Sequence, residues 1–334
     1  MNRLIFLKII CCLVFITESN LTLLASVPLI RVRRNQVRCD PQMGRIMSKG
    51  DKRFEVGSLI CKEDKLEVLN GGSVQFLCFS SGNLLNLSSG SIPLDKCPES
   101  NQASSTCSQN NDDECQIRKG GTEESDEPTI ISPYSTSTLN LRPEITWTPV
   151  RGATSYKVQA KSYEFGWEKI VSQTRIAYPS DEKEFQPGRS YTIYVFAYKD
   201  ESVLNYDETF VNVLPVASQE KIAQKIKRIK DLGLPPDETV LDTDAIYAAE
   251  NLLNETIEIL KTAIATPSRN PTLYRVLGDR YMRAKLPNEA KPQYIKAAEL
   301  AKSSNNSREL QKAQSGLKTV DFYNQLPTSR KDAQ

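Results

Sequence analysis

Among 334 residues there is no histidine. Without an imidazole the chain has no Ser-His-Asp or Cys-His nucleophile system, no His-ligated zinc and no histidine pH switch. Tryptophan occurs twice and methionine four times, and 39% of residues are hydrophobic. That is below the roughly 45–50% usual for globular chains, a figure that also counts glycine. The chain can build a core, but not over its whole length. Charge of one sign is not in excess: 43 Lys+Arg stand against 41 Asp+Glu, for a formal net charge of +2. Net charge therefore provides no attraction for a polyanion. Long hydrophobic runs are also missing. Leu4 to Ile16, broken by Lys8, falls short of the roughly 18 apolar residues that span a bilayer. No Cys-x-x-Cys pair occurs, and no cysteine follows Cys115, which argues against a structural zinc site.

What is present begins with Met1-Asn2-Arg3 followed by that short apolar run. A basic start and a short apolar stretch predict a secretory signal peptide over 1–26, with cleavage after Ser19 or Ala25. An uncleaved membrane tether is the alternative. Cys11 and Cys12 fall within the signal, and Cys39, Cys61, Cys78, Cys97, Cys107 and Cys115 follow it. An even number of cysteines confined to one exported region reads as up to three disulfides, with the pairing left open by sequence. The predicted location is exported, periplasmic or at the cell surface.

The expected architecture is multidomain, β then α. Residues 27–98 read as a small cysteine-bearing β-domain, since Val56, Ile60, Leu66, Val68, Val74, Phe76 and Cys78 form short runs separated by Asn70-Gly71-Gly72 and Gly82-Asn83. The succession Gly57-Ser-Leu-Ile60, Lys65-Leu-Glu-Val68, Val74-Gln-Phe-Leu-Cys78 and Cys97-Pro98 resembles the FecR-like β-domain of bacterial exported proteins. That resemblance implies a structural or sensing module and a Cys78–Cys97 disulfide. Residues 99–128 are acidic and polar, with Asp112-Asp113-Glu114 and Glu123-Glu124-Ser-Asp126-Glu127. They predict a solvated linker, because so little apolar area does not offset the entropy of ordering.

Residues 129–215 return to alternation. Tyr156-Lys-Val158-Gln-Ala160 and Tyr191-Thr-Ile193-Tyr-Val195-Phe-Ala197 place every second residue on an apolar face, as half-buried strands require. With Trp147 and the Phe185-Gln-Pro187-Gly188 turn, this stretch resembles a fibronectin type III domain, which implies a two-sheet sandwich. Residues 216–236 predict a connecting helix with Ile222, Ile226, Ile229 and Leu232 on one face and Lys221, Lys225, Lys227, Arg228 and Lys230 around them. Such a helix either packs or touches an anionic membrane peripherally.

Residues 237–327 carry the most specific pattern, followed by a disordered tail at 328–334. Tyr274, Leu277, Gly278, Tyr281, Ala290, Tyr294 and Ala297 are spaced as in a tetratricopeptide repeat. Lys285 and Lys302 stand where glycine and proline are common. A copy 34 residues earlier keeps Tyr247, Leu260 and Ala263 but has Asp244 and Thr256 in place of small residues. A third partial copy begins at Ser307. The whole resembles exported cyanobacterial tetratricopeptide-repeat proteins, which implies no enzymatic activity.

The expected function is a non-catalytic exported scaffold that binds a protein or peptide in the cell envelope through the repeats. Arg275, Asp279, Arg280, Arg283 and Lys291 are its candidate contacts, and no catalytic residue, metal ligand or cofactor site is expected. The alternative is a cell-wall or polysaccharide-binding module in the sandwich, with Tyr163, Phe165, Trp167 and Tyr178 as candidate stacking residues. An enzyme would need another route, such as the Ser180-x-x-Lys183 match. Balanced charge and export argue against nucleic acid.

Overall fold

The computed structural model describes residues 42–98, 126–134, 137–163 and 165–325. The described residues all belong to one compact unit. The signal peptide, most of the acidic linker, the tail and Cys39, Cys107 and Cys115 lie outside them.

The first module is a four-stranded antiparallel sheet, ordered β2-β1-β4-β5, made of β1 (Gln42–Ile46), β2 (Leu59–Cys61), β4 (Val74–Cys78) and β5 (Leu84–Leu87). A two-stranded ribbon, β3 (Lys65–Leu66) with β6 (Gly90–Ser91), closes it. Met43, Ile46, Ile60, Val74 and Phe76 fill its core. Cys78 and Cys97 are bonded with Cα atoms 5.7 Å apart, the pairing that the family resemblance implies, and Cys61 is disulfide-bonded as well.

The second module packs two sheets on one core. The smaller is β12 (Arg175–Ile176), β9 (Ile145–Trp147) and β7 (Ile130–Ser132). The larger runs β11 (Gly166–Val171), β10 (Ser155–Lys161), β13 (Ser190–Lys199), β14 (Ser202–Val213) and β8 (Ser137–Thr138), with β8 parallel to β14. The alternation in β13 sends Tyr191, Ile193, Val195 and Ala197 inward, where they meet Trp147 and Ile145 of the other sheet. The buried tyrosines keep partners: Tyr156 Oη accepts from the Val150 N–H at 2.9 Å and Tyr191 Oη from that of Gln186 at 2.8 Å.

Six helices follow: α1 (Val216–Asp231), α2 (Pro236–Ala249), α3 (Leu253–Ala265), α4 (Pro271–Arg283), α5 (Pro287–Ser303) and α6 (Ser307–Tyr323). Gly233 at φ +60° ends the α1 turn, and Pro236 opens α2 at its first position, where the missing N–H has no partner to lose. Lys302 lies in the last turn of α5 instead of marking a stop, since the helix runs on to Ser303. Its charge there complements the helix dipole.

The stretch expected as a connecting helix is a packed one. Ile222 and Ile229 of α1 join Ala245 and Ile246 of α2, Leu77 and Phe79 of the first module and Leu139 and Leu214 of the sandwich in one apolar cluster. Arg45, on β1 and 2% exposed, crosses the same junction. Its guanidinium grips both carboxylate oxygens of Asp242 in α2, donates to the Gly57 carbonyl at 2.6 Å and reaches Glu238 at 3.1 Å. On the sandwich side, Glu255 in the first turn of α3 accepts from the Thr138 hydroxyl at 2.7 Å and from the Leu139 N–H, and Asn254 accepts from the Tyr134 N–H at 3.0 Å. Burial holds the Glu255 carboxyl above its ordinary value, and its second oxygen has no hydrogen-bond partner among the described residues. The three modules are therefore one body.

Candidate functional site

Helix α4 lies between α2 and α6 and is buried along most of its length. Tyr274, Leu277, Ala290, Tyr294 and Ala297 are all buried, and Tyr281 is partly buried. A Cβ on Gly278 would lie 2.7 Å from the Tyr294 ring, and one on Gly316 of α6 would lie 2.5 Å from it. Both values are below any real Cβ contact, so Tyr294 sits in a slot with a glycine on either side. Its hydroxyl donates to Asp279 Oδ1 at 2.8 Å.

The expectation that Arg275, Asp279 and Arg280 face a partner is corrected by their surroundings. Arg275 is 6% and Arg280 8% exposed. Arg275 donates through Nε to Glu309 of α6 at 2.6 Å and through Nη1 to Asp279. Arg280 forms a two-point pair with Asp244 of α2, at 2.9 and 2.6 Å. These side chains join α2, α4 and α6 to one another and are spent internally. The physical cause is that α4 is flanked on both sides, so a face that reads as polar and outward along one helix is covered by its neighbours. One signal in the sequence anticipates this: Asp244 stands 36 residues before Arg280, and Glu309 stands 34 after Arg275. Opposite charges thus recur at close to the repeat length. Asp244, which makes the earlier copy look degenerate, is therefore a structural partner. Arg283 and Lys291 are exposed; Arg283 donates to Asn251 Oδ1 at 2.7 Å and Lys291 lies 3.5 Å from Asp321.

On the sandwich, Trp167 is buried, and Phe165 and Tyr178 pack against the core. They are not the stacking surface considered from sequence, because β11 turns Trp167 inward opposite Ala160. Tyr163 stands alone, 98% exposed. The exposed aromatic groups are elsewhere. The alternation that buries Tyr191, Ile193 and Val195 necessarily turns Tyr194, Phe196 and Tyr198 outward. Register then aligns Ile170, Lys157, Phe196 and Tyr206 in one row across four strands, and Glu168, Gln159, Tyr194 and Glu208 in the next. Phe210 follows opposite Thr192. Phe196 stacks on Tyr206 at 5.4 Å and on Tyr194 at 5.9 Å, and Lys157 Nζ lies 5.2 Å from the Phe196 ring centre. Ile170 is 73% exposed, and Tyr206 and Phe210 are each 53%. The period-2 pattern contained this face, although reading it only for the core hid it.

Ser180 and Lys183 are both exposed in the loop between β12 and β13, and the two side chains between them, Asp181 and Glu182, pair with Lys169 at 2.7 and 3.1 Å. Among the described residues no group of three or more His, Cys, Asp and Glu side chains is placed to hold a metal ion. Among them, too, no helix is long and apolar enough to cross a membrane.

No protein-family model matches the chain, and no curated protein does. Among solved structures, the chain is similar to the fn3 domain of human collagen alpha-1(XX) chain, at 19% identity and a TM-score of 0.20, over 28% of this chain and 90% of that one.

Proposed function

We propose that the protein is a non-catalytic exported scaffold that holds a protein partner, and that the outer face of its five-stranded sheet is the holding surface. The single observation that carries this is the row Ile170, Lys157, Phe196 and Tyr206, with Phe210 two rows along the same face, standing outward on the sheet. Aromatic groups on an exposed apolar patch are the usual composition of an interface centre. A sheet presents them with little entropy left to lose on binding. The repeat residues first expected to bind, Arg275, Asp279 and Arg280, are engaged in internal ion pairs, which moves the reading from the helices to the sheet.

In the same reading the sandwich is fibronectin type III-like and helices α2 to α6 are tetratricopeptide-like. Support for the latter is that Asn251 and Lys285, 34 positions apart, both turn with positive φ at the ends of α2 and α4. Export is supported by the bonded Cys78, Cys97 and Cys61. The helical array then serves as the platform against which both β-modules are fixed.

The test is photo-crosslinking in the native envelope, with the reactive group placed at Tyr206 or Phe210 and, for comparison, at Lys291. The expected result is one protein adduct from the two sheet positions, lost when Ile170→Asp is added. Adducts from Lys291 alone would return the site to the helices. Retention on a polysaccharide resin, with no protein adduct, would replace the protein partner by a glycan, for which the exposed Glu168 and Glu208 among the rings supply hydrogen-bonding groups.

A further inference from the structure

A cleft of about 360 Å³ opens along α1. Its floor is apolar: Ile222, Ala223 and Ile226 of α1 face Leu139 after β8 and Tyr247 of α2. Its ends differ. Gln219 stands at one, and Lys227 and Lys230 stand at the other. Gln219 to Lys230 is eleven residues, or about 16 Å at the rise of an α-helix. The cleft is therefore a trough, apolar in the middle and cationic at one end.

Both lysines are available. Lys227 is paired with Asp231 in an exposed i,i+4 contact, with side chains 75% and 59% exposed, and such pairs are worth little against a competing anion. Lys230 is exposed and has no ion-pair partner among the described residues. A buried acid, Glu255, lies by Tyr247. Because α1 and α2 are joined by a short turn and run antiparallel, Tyr247 near the end of α2 faces the start of α1, opposite the lysines. An anion with an elongated apolar tail meets the two lysines at one end and the apolar side chains of the floor along the rest.

We propose that this trough binds a single-chain alkyl carboxylate, with the carboxylate between Lys227 and Lys230 and the chain lying on Ile222, Ala223 and Ile226. An alcohol of equal length keeps the apolar burial and loses the charge. A nucleotide or a sugar would leave its polar groups unpaired against the aliphatic floor. A flat membrane surface would need the whole apolar face of α1, whose Ile229 is buried in the junction.

The experiment is calorimetric titration of the full chain with dodecanoate, with dodecanol, and with vesicles of phosphatidylglycerol. The expected result is saturable one-to-one binding of dodecanoate. It should weaken tenfold or more in the Lys227→Glu/Lys230→Glu variant and vanish in Ala223→Trp, whose exposed position tolerates the larger side chain. Melting of both variants, followed by circular dichroism, should match the parent. Three results would overturn the proposal: no saturable binding of dodecanoate, equal affinity for dodecanol, or binding to vesicles unaffected by Ala223→Trp. If Ala223→Trp melts early, Ala223→Gln takes its place, with the same required loss.

Discussion

Tyr294 is held from three directions, by Gly278, by Gly316 and by the hydrogen bond to Asp279. Gly278→Ala therefore sets two effects against each other. Alanine favours the helix by about 1 kcal/mol over glycine, whereas a methyl 2.7 Å from the ring overpacks a site that costs about 1–3 kcal/mol to distort. The ring has nowhere to retreat, because Gly316 stands on its other side. Gly278→Ala should lose up to about 2 kcal/mol net in urea titration, and a raised midpoint would show that the slot yields. Gly278 was legible in the repeat spacing. Gly316 was not, since its role depends on α6 crossing the Tyr294 ring, a contact no local period records. Arg275 and Arg280 were legible as functional-looking charges, and their burial was invisible because it depends on which helices flank α4.

At the level of elements, the turns between helices repeat more faithfully than the side chains. Asn251 and Lys285 adopt φ +58° and +62°. Asparagine enters the left-handed region readily, and lysine does so at a cost. The departure from glycine at Lys285 is thus a strained residue in an intact turn. Lys285→Gly should raise stability by about 0.5–1 kcal/mol, measured by thermal or urea unfolding, whereas Asn251→Gly should gain less. Equal gains would mean that the two turns are not equivalent. Helix α5 carries another departure, Pro292 within its length at an exposed position. In the sandwich, the strands and both faces of β13 follow from alternation. What alternation does not specify is register, and register is what lines up Lys157, Phe196 and Tyr206.

At the scale of the molecule, the junction of α1 and α2 with both β-modules is held by one buried arginine and one buried carboxylate as much as by apolar packing. Asp242→Ala removes both oxygens that the Arg45 guanidinium grips and leaves it only Glu238 and the Gly57 carbonyl, and breaking a buried pair in this way costs at most about 3–5 kcal/mol. The expected measurement is a fall of that size in unfolding free energy, and a loss below about 1 kcal/mol would assign the junction to the apolar cluster alone. Glu255 tests the other side. Burial raises its carboxyl pKa above the ordinary 4.5, so between those two values the folded state holds a proton that the unfolded state has released. Stability from this group is present below that window and falls as pH rises through it. Glu255→Gln keeps the oxygen facing Thr138 and Leu139 and removes the titration. Relative to the parent its melting temperature should rise as pH climbs above the ordinary 4.5, and a difference independent of pH would remove Glu255 as the cause.

The sequence by itself determined the order of the modules, β followed by α, because hydrophobic period, turn residues and composition are local properties written along the chain. It also determined most of the core, including Trp147, Tyr191, Leu277 and Ala297. Only the tertiary structure decided that the modules form one body, that Arg45 reaches Asp242 across 197 residues, and that the polar positions of α4 point at α2 and α6. It alone placed the aromatic row on the outer sheet and the lysines at the end of the α1 trough. Those outcomes depend on packing between elements distant in sequence. A side chain's solvent exposure is a property of what lies against it, and a periodic pattern reports only the element that bears it.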